Sequence, residues 1–143
     1  MREILFRGKR TDNGEWFYGY YTNARYYLDK KEMHIIFEQD VEVYPHSEFA
    51  GGEEVIPETV GQYTGLTDKN GRKIFEGDII KCKVHEMNGY RVRRGVVEYH
   101  GVGFIMNLDP NSWYDQKNIS FDCEVIGNIY DNPELLKGGI ENG

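Results

Sequence analysis

Alanine stands only at Ala24 and Ala50 in a chain of 143 residues. Helices draw on alanine more than on any other residue, so a helical bundle is excluded as the main architecture. Cysteine is equally scarce, at Cys82 and Cys123. Two cysteines cannot build a disulfide-dense scaffold, and no C-x-x-C pair is there to hold zinc. Each lies in an apolar run, and the expectation is a pair of buried, reduced thiols in a cytosolic protein, with a disulfide the lesser alternative. No stretch approaches the ~20 apolar residues of a membrane span. The start, "MREILFRGKR", has charge on both sides of a short apolar run, whereas a signal peptide needs roughly 7–15 apolar residues. The cytoplasm is therefore the expected location. Positive charge is also short: 17 Lys and Arg face 24 Asp and Glu, a net of -7. That balance disfavours non-specific binding to nucleic acid or anionic membranes, while leaving room for a local basic patch.

What the chain does have is 11 tyrosines and 17 glycines, the composition of strands and tight turns. "EILFRGKR", "TDNG" and "EWFYGYY" read as two strands around a type I′ turn at Asn13-Gly14. "EMHIIFEQ" and "VEVYPH" read as two more, the second ended by Pro45. "FAGGEEVIPETV" reads as a connector with a Gly-Gly hinge, its "VIPETV" either a short strand or a single helical turn. "GQYTGL", "RKIF" and "IIKCKV" are extended, separated by the loop "TDKNG" and the turn "EGD". Asn88-Gly89 marks another hairpin; a two-residue loop there sets Met87 against Tyr90, Glu86 against Arg91 and Lys83 against Arg94. "VGFIMNL" follows as a strand, "DPNSWYDQKN" as polar loop and "ISFDCEVIGNIY" as the last strand. Asn132 and Pro133 can start a short C-terminal helix that stops at Gly138-Gly139. Short strands with frequent turns predict a mainly β protein, a small barrel or sandwich.

Catalytic patterns are sparse. His34, His46, His85 and His100 show no metal-ligand spacing with one another or with a cysteine. Ser47, Ser112 and Ser120 lack a nucleophile elbow. Glu76 with Asp78, and Asp122 with Glu124, are carboxylate pairs two apart, read more simply as a turn and a solvated strand face. Gly61, Gly65, Gly71 and Gly77 lead into a strand rather than a helix, and no Lys-Ser/Thr pair follows, so a phosphate-cradling loop is not indicated. Turns, bulges and close crossings account for them.

Two segments are more specific than any of these: "VGQYTGLTDKNGRKIFEGDII" and "EVIGNIYDNPELL". Together they resemble the YopX-like family of small phage and prophage proteins, and "FRGKRTDNGEWFYGYY" fits its opening. Nearly the whole chain is covered; the stretch from Lys83 to Arg94 and the loop from Leu108 to Lys117 match no family pattern. The resemblance implies a mainly β protein with an SH3-type barrel in its C-terminal half, and a phage or prophage origin. It implies no activity and transfers no catalytic, cofactor or metal residues. The implied division is a β-hairpin subdomain over 1–60, an SH3-like barrel over 61–137 and a tail over 138–143.

Two surfaces remain as candidates. Lys83, Tyr90, Arg91, Arg93 and Arg94 gather basic charge and an aromatic ring on one hairpin, a composition that binds nucleic acid on some small barrels. Tyr18, Tyr20, Tyr26 and Tyr27 crowd the N-terminal strand region, and exposed tyrosines are enriched where proteins meet. The leading expectation is a non-enzymatic binding or adaptor module with a protein partner and no cofactor. A nucleic-acid accessory protein is the alternative, and a small enzyme built on generic carboxylates comes third. Unpaired strand edges leave a homodimer open.

Overall fold

A computed structural model describes residues 4–25, 31–38, 52–99, 103–107, 116–118, 122–136 and 140–141. The protein is mainly β; the described residues form two antiparallel sheets, with only short 3₁₀ turns between strands. It divides into two compact units, residues 1–63 and 64–143.

In the first unit, β1 (Phe6–Lys9), β2 (Trp16–Arg25), β3 (Glu32–Phe37) and β4 (Gly52–Glu54) form an antiparallel array in the order β4-β3-β2-β1. The first residues of β5 (Gly61–Thr67) pair with β1, Gly61 opposite Arg7. The apolar pair Ile35-Ile36 is fully buried together with Leu5 and Val55. The β1–β2 loop is four residues long rather than two: Arg10 N–H donates to Glu15 C=O at 2.9 Å, enclosing Thr11–Gly14. Side chains build this wider loop. Asn13 Oδ1 accepts from Glu15 N–H, and Asp12 takes Arg10 in a two-point contact at 2.7 and 3.0 Å. Of the two readings of "VIPETV", the structure has the helical one, a 3₁₀ turn over Pro57–Thr59. Thr59 pins it, donating its hydroxyl to Ile56 C=O and accepting Lys9 N–H. The segment read as a Gly-Gly hinge instead supplies β4, and "VEVYPH" lies outside the described residues.

In the second unit the remainder of β5 neighbours β6 (Lys73–Phe75). The strands β7 (Asp78–Glu86), β8 (Gly89–Tyr99), β9 (Phe104–Asn107), β10 (Gln116–Asn118) and β11 (Glu124–Asn128) run in the order β10-β9-β8-β7-β11, with β12 (Ile140–Glu141) also on β8. Barrel closure is not among the pairings of the described residues. β10 falls where a polar loop was expected; a ladder needs backbone groups, so polar side chains did not prevent it. Pro133–Leu136 forms a single 3₁₀ turn.

The core of this unit is Ile74, Ile80, Cys82, Val97, Cys123 and Val125, with Phe104 packed against it. Contrary to the expectation of free thiols, Cys82 and Cys123 form a disulfide. The cause is register. Glu124 pairs with Lys81, so the preceding residue, Cys123, comes opposite Cys82, and their Cα atoms are 4.2 Å apart. Sequence separation, at 41 residues, hides this. Among the described residues no helix is long and apolar enough to cross a membrane.

Candidate functional site

In the glycine- and Asp-rich stretch from Gly61 to Ile80, the buried polar side chains bind backbone groups, of the stretch itself and of β11. Asp68 is 5% exposed. Its Oδ1 accepts the N–H groups of Asn70 and Arg72, each at 2.9 Å, and its Oδ2 accepts Val125 N–H at 3.0 Å. Burial pushes against the charged form, but these three donors, with Arg72 nearby, outweigh it and hold the carboxyl below the usual carboxylate value. Beside it, Lys69 N–H donates to Cys123 C=O at 3.1 Å. One tight loop therefore occupies the outer edge of β11. Thr64 does similar work, donating its hydroxyl to Ile74 C=O and accepting Leu66 N–H. Asp78, 2% exposed, accepts Phe75 N–H at 2.8 Å. The turn between them needs Gly77 at φ +91°, where a Cβ would also lie 3.1 Å from the Tyr130 ring.

The second specific segment behaves the same way. Asn128 Oδ1 accepts both Tyr130 and Asp131 N–H groups, and its amide donates to Asp131. Pairing shifts between Val125 and Gly127, and a Cβ on Gly127 would lie 2.6 Å from Asn132 Oδ1. Thr64, Asp68, Asp78 and Asn128 thus fasten turns. Of the pair Glu76 and Asp78, Asp78 holds the turn, while Asp122 and Glu124 face solvent beside His85 and Lys69 at 4.0 and 3.4 Å.

The basic hairpin residues are not brought together as expected. Glu86 pairs with Gly89, closing the loop on Met87-Asn88, and His85 rather than Met87 is opposite Tyr90. Lys83 then faces Val92, and Arg94 faces Lys81. Because strand side chains alternate, Lys83, Tyr90 and Arg94 share one face while Arg91 and Arg93 lie on the other with Cys82. Lys83 Nζ sits 4.7 Å above the Tyr90 ring. Arg94 is half-buried and donates to Leu135 C=O at 3.2 Å. Arg93 is half-buried, with Cys82 opposite on one side and Ile140 on the other. Arg91 is exposed.

The tyrosine surface is partly assembled. Tyr18 and Tyr20 are 46% and 53% exposed and share a face of β2. Tyr26 and Tyr27 lie outside the described residues. Two neighbouring arrangements were missed from sequence. On the Tyr18 face, Arg7 and Lys9 stand 4.5 and 5.5 Å from the centre of the Trp16 ring. The opposite face holds Tyr21, whose hydroxyl is 2.6 Å from His34 Nδ1, with Glu32 3.9 Å from His34 Nε2. Alternation along β1 and β2 would have found the first; the second depends on the β2–β3 register.

Among the described residues no three His, Cys, Asp or Glu side chains converge as a metal site. No curated protein matches the chain. Among solved structures it is similar to the crystal structure of protein EF1440 from Enterococcus faecalis, at 26% identity and a TM-score of 0.56, over 96% of this chain and 100% of that one. The family described as YopX protein matches residues 5–137. The chain belongs to the YopX family.

Proposed function

We propose that the chain is a non-catalytic binding module of phage or prophage origin that docks a protein partner in the host cytoplasm. The observation that carries this reading is the side-by-side exposure of Tyr18 and Tyr20 on β2, next to a Trp16 ring braced by two cations. Tyrosines offer large contact area with few torsions to freeze, which is why they anchor interfaces. The buried Asp and Asn side chains of the two specific segments support the non-catalytic part, because their hydrogen bonds serve their own turns and, from Asp68, the edge of β11. The reading includes an SH3-type closure of the second unit, needs no cofactor and allows a homodimer.

The nucleic-acid alternative has less support. Lys83 and Tyr90 make a cation-over-ring pair of the required type. Yet the five residues divide between two faces, two of the arginines are half-buried, and Asp122 and Glu124 stand near the lysines.

A pull-down from host cytoplasm, with and without nuclease, tests the reading. Wild type is compared with a Tyr18→Ala, Tyr20→Ala double variant. A defined protein retained after nuclease and lost in the double variant is the expected result. Capture that disappears with nuclease and survives the tyrosine changes would overturn it in favour of nucleic acid.

A further inference from the structure

We infer that the Cys82–Cys123 disulfide is a reversible, redox-controlled staple on the rim strand β11, opened by a dithiol reductant while the fold persists. The bond joins two places that the β7–β11 ladder already joins, through Glu124 with Lys81, Val125 with Ile80, Gly127 with Ile79 and Asn128 with Asp78. Without the bond, both cysteines remain small apolar residues in a cluster of Ile74, Ile80, Val97 and Val125. The register and the core can therefore outlast reduction.

The sulfurs are buried, so exchange requires a local opening. Position makes that opening limited. β11 is the last strand in the path, paired only with β7 among the described strands. Its outer side is held by the two contacts of the Asp68–Lys69 loop, to Val125 N–H and Cys123 C=O. Releasing them and a ladder of four residue pairs exposes the bond and leaves β7, β8 and β9 paired.

The chemistry balances with the dithiol alone. Its thiolate attacks one protein sulfur, and the other leaves as a thiolate and takes up a proton. The second thiol of the reductant, losing its proton, then displaces the mixed disulfide. Two electrons and two protons pass to the protein, and the reductant departs as its own disulfide. A surface cavity of roughly 240 Å³ lies beside Cys82. It is lined by Lys81 and Lys83 of β7, Lys69 of the loop, Asp122 before β11 and Glu124 on it.

The test incubates oxidised native protein, without denaturant, in graded mixtures of reduced and oxidised dithiothreitol. Alkylation after acid quench and mass measurement count the thiols. The expected result is one reversible transition with unchanged far-UV circular dichroism, and a folded Cys82→Ser, Cys123→Ser variant. Asp68→Asn should speed reduction by about tenfold, because it weakens one side of the clamp. A bond that resists about 10 mM dithiothreitol until denaturant is added would overturn the inference. Loss of the β signal on reduction, or an Asp68→Asn variant that folds but is reduced no faster, would overturn it equally.

Discussion

Val125 donates its backbone N–H to Asp68 Oδ2 across 3.0 Å, although 57 positions separate the two in the chain. One side chain thereby orders its own loop and fixes where the last long strand attaches. Asp68→Ala would leave three backbone donors to find new partners. A loss of about 3 kcal/mol is expected, since hydrogen bonds to a charged group contribute roughly 1.5–3 kcal/mol each net of water, and an opened loop lets the freed N–H groups turn to solvent. Chemical denaturation of the variant against wild type measures it.

The same carboxylate predicts a pH dependence. Its folded pKa lies below the usual value, so the folded state favours the charged form. Its contribution is complete above the unfolded value of about 3.9 and fades as pH falls through the lower folded value. Wild type should lose stability on acidification below about pH 4, and Asp68→Asn should show a flatter acid limb over that range. Melting temperatures across pH 2 to 6, roughly the span of carboxylate titration, decide it.

Gly77 and Gly71 both have positive φ, at +91° and +80°, but only Gly77 has a neighbour where a Cβ would go. Gly71→Ala should cost about 1 kcal/mol for conformation alone. Gly77→Val should cost more than ~1 kcal/mol, because a β-branched residue resists that φ and must also displace Tyr130. Equal melting temperatures for wild type and Gly77→Val would remove this account of the turn.

Tyr21 and His34 form a second testable pair. Tyr21→Phe keeps the ring and removes the hydroxyl, so a loss of about 1 kcal/mol is expected at neutral pH. Burial, and then the nearby charge of Glu32, push the phenol above its ordinary value. The folded state thus favours the neutral phenol, which contributes fully below the unfolded value near 10 and less as pH rises through the folded one. Alkaline melts should fall more steeply for wild type than for Tyr21→Phe.

At about 0.15 M salt, no binding of single-stranded DNA or RNA tighter than about 1 µM is expected, because the net charge of -7 repels a polyanion. A triple arginine replacement would be a poor probe. Arg94 holds Leu135 C=O and Arg93 is half-buried, so their loss would disturb the fold. Lys83→Ser with Arg91→Ser removes exposed charge. Tight binding abolished by that pair, with a normal melt, would make nucleic acid the leading partner.

Composition was enough for the mainly β class, since scarce alanine and frequent turn residues act locally. The two segments of strong resemblance proved to be the ones whose Asp and Asn side chains bind their own turns, as at Asp68 and Asn128. What escaped was register. Nothing local to Met87-Asn88-Gly89 distinguished a loop on the first two residues from one on the last two. The disulfide escaped for the same reason, because it depends on which residue of β11 comes opposite Cys82. The tyrosine surface was half legible: alternation along β2 puts Tyr18 and Tyr20 together, but exposure depends on what packs above them.

A strand at the rim of a sheet is a template for another molecule's strand, which can copy its row of vacant amides and carbonyls. At Cys123–Val125 that row is already taken by Lys69 and Asp68 of the same chain. An incoming strand finds nothing to copy there until the loop lifts. Acid weakens that hold, by neutralising the acceptor of Val125 N–H once the pH falls through the lowered folded value. Filament growth by strand addition should therefore begin, if anywhere on this rim, in samples held below about pH 4, and earlier in chains lacking the Asp68 carboxylate.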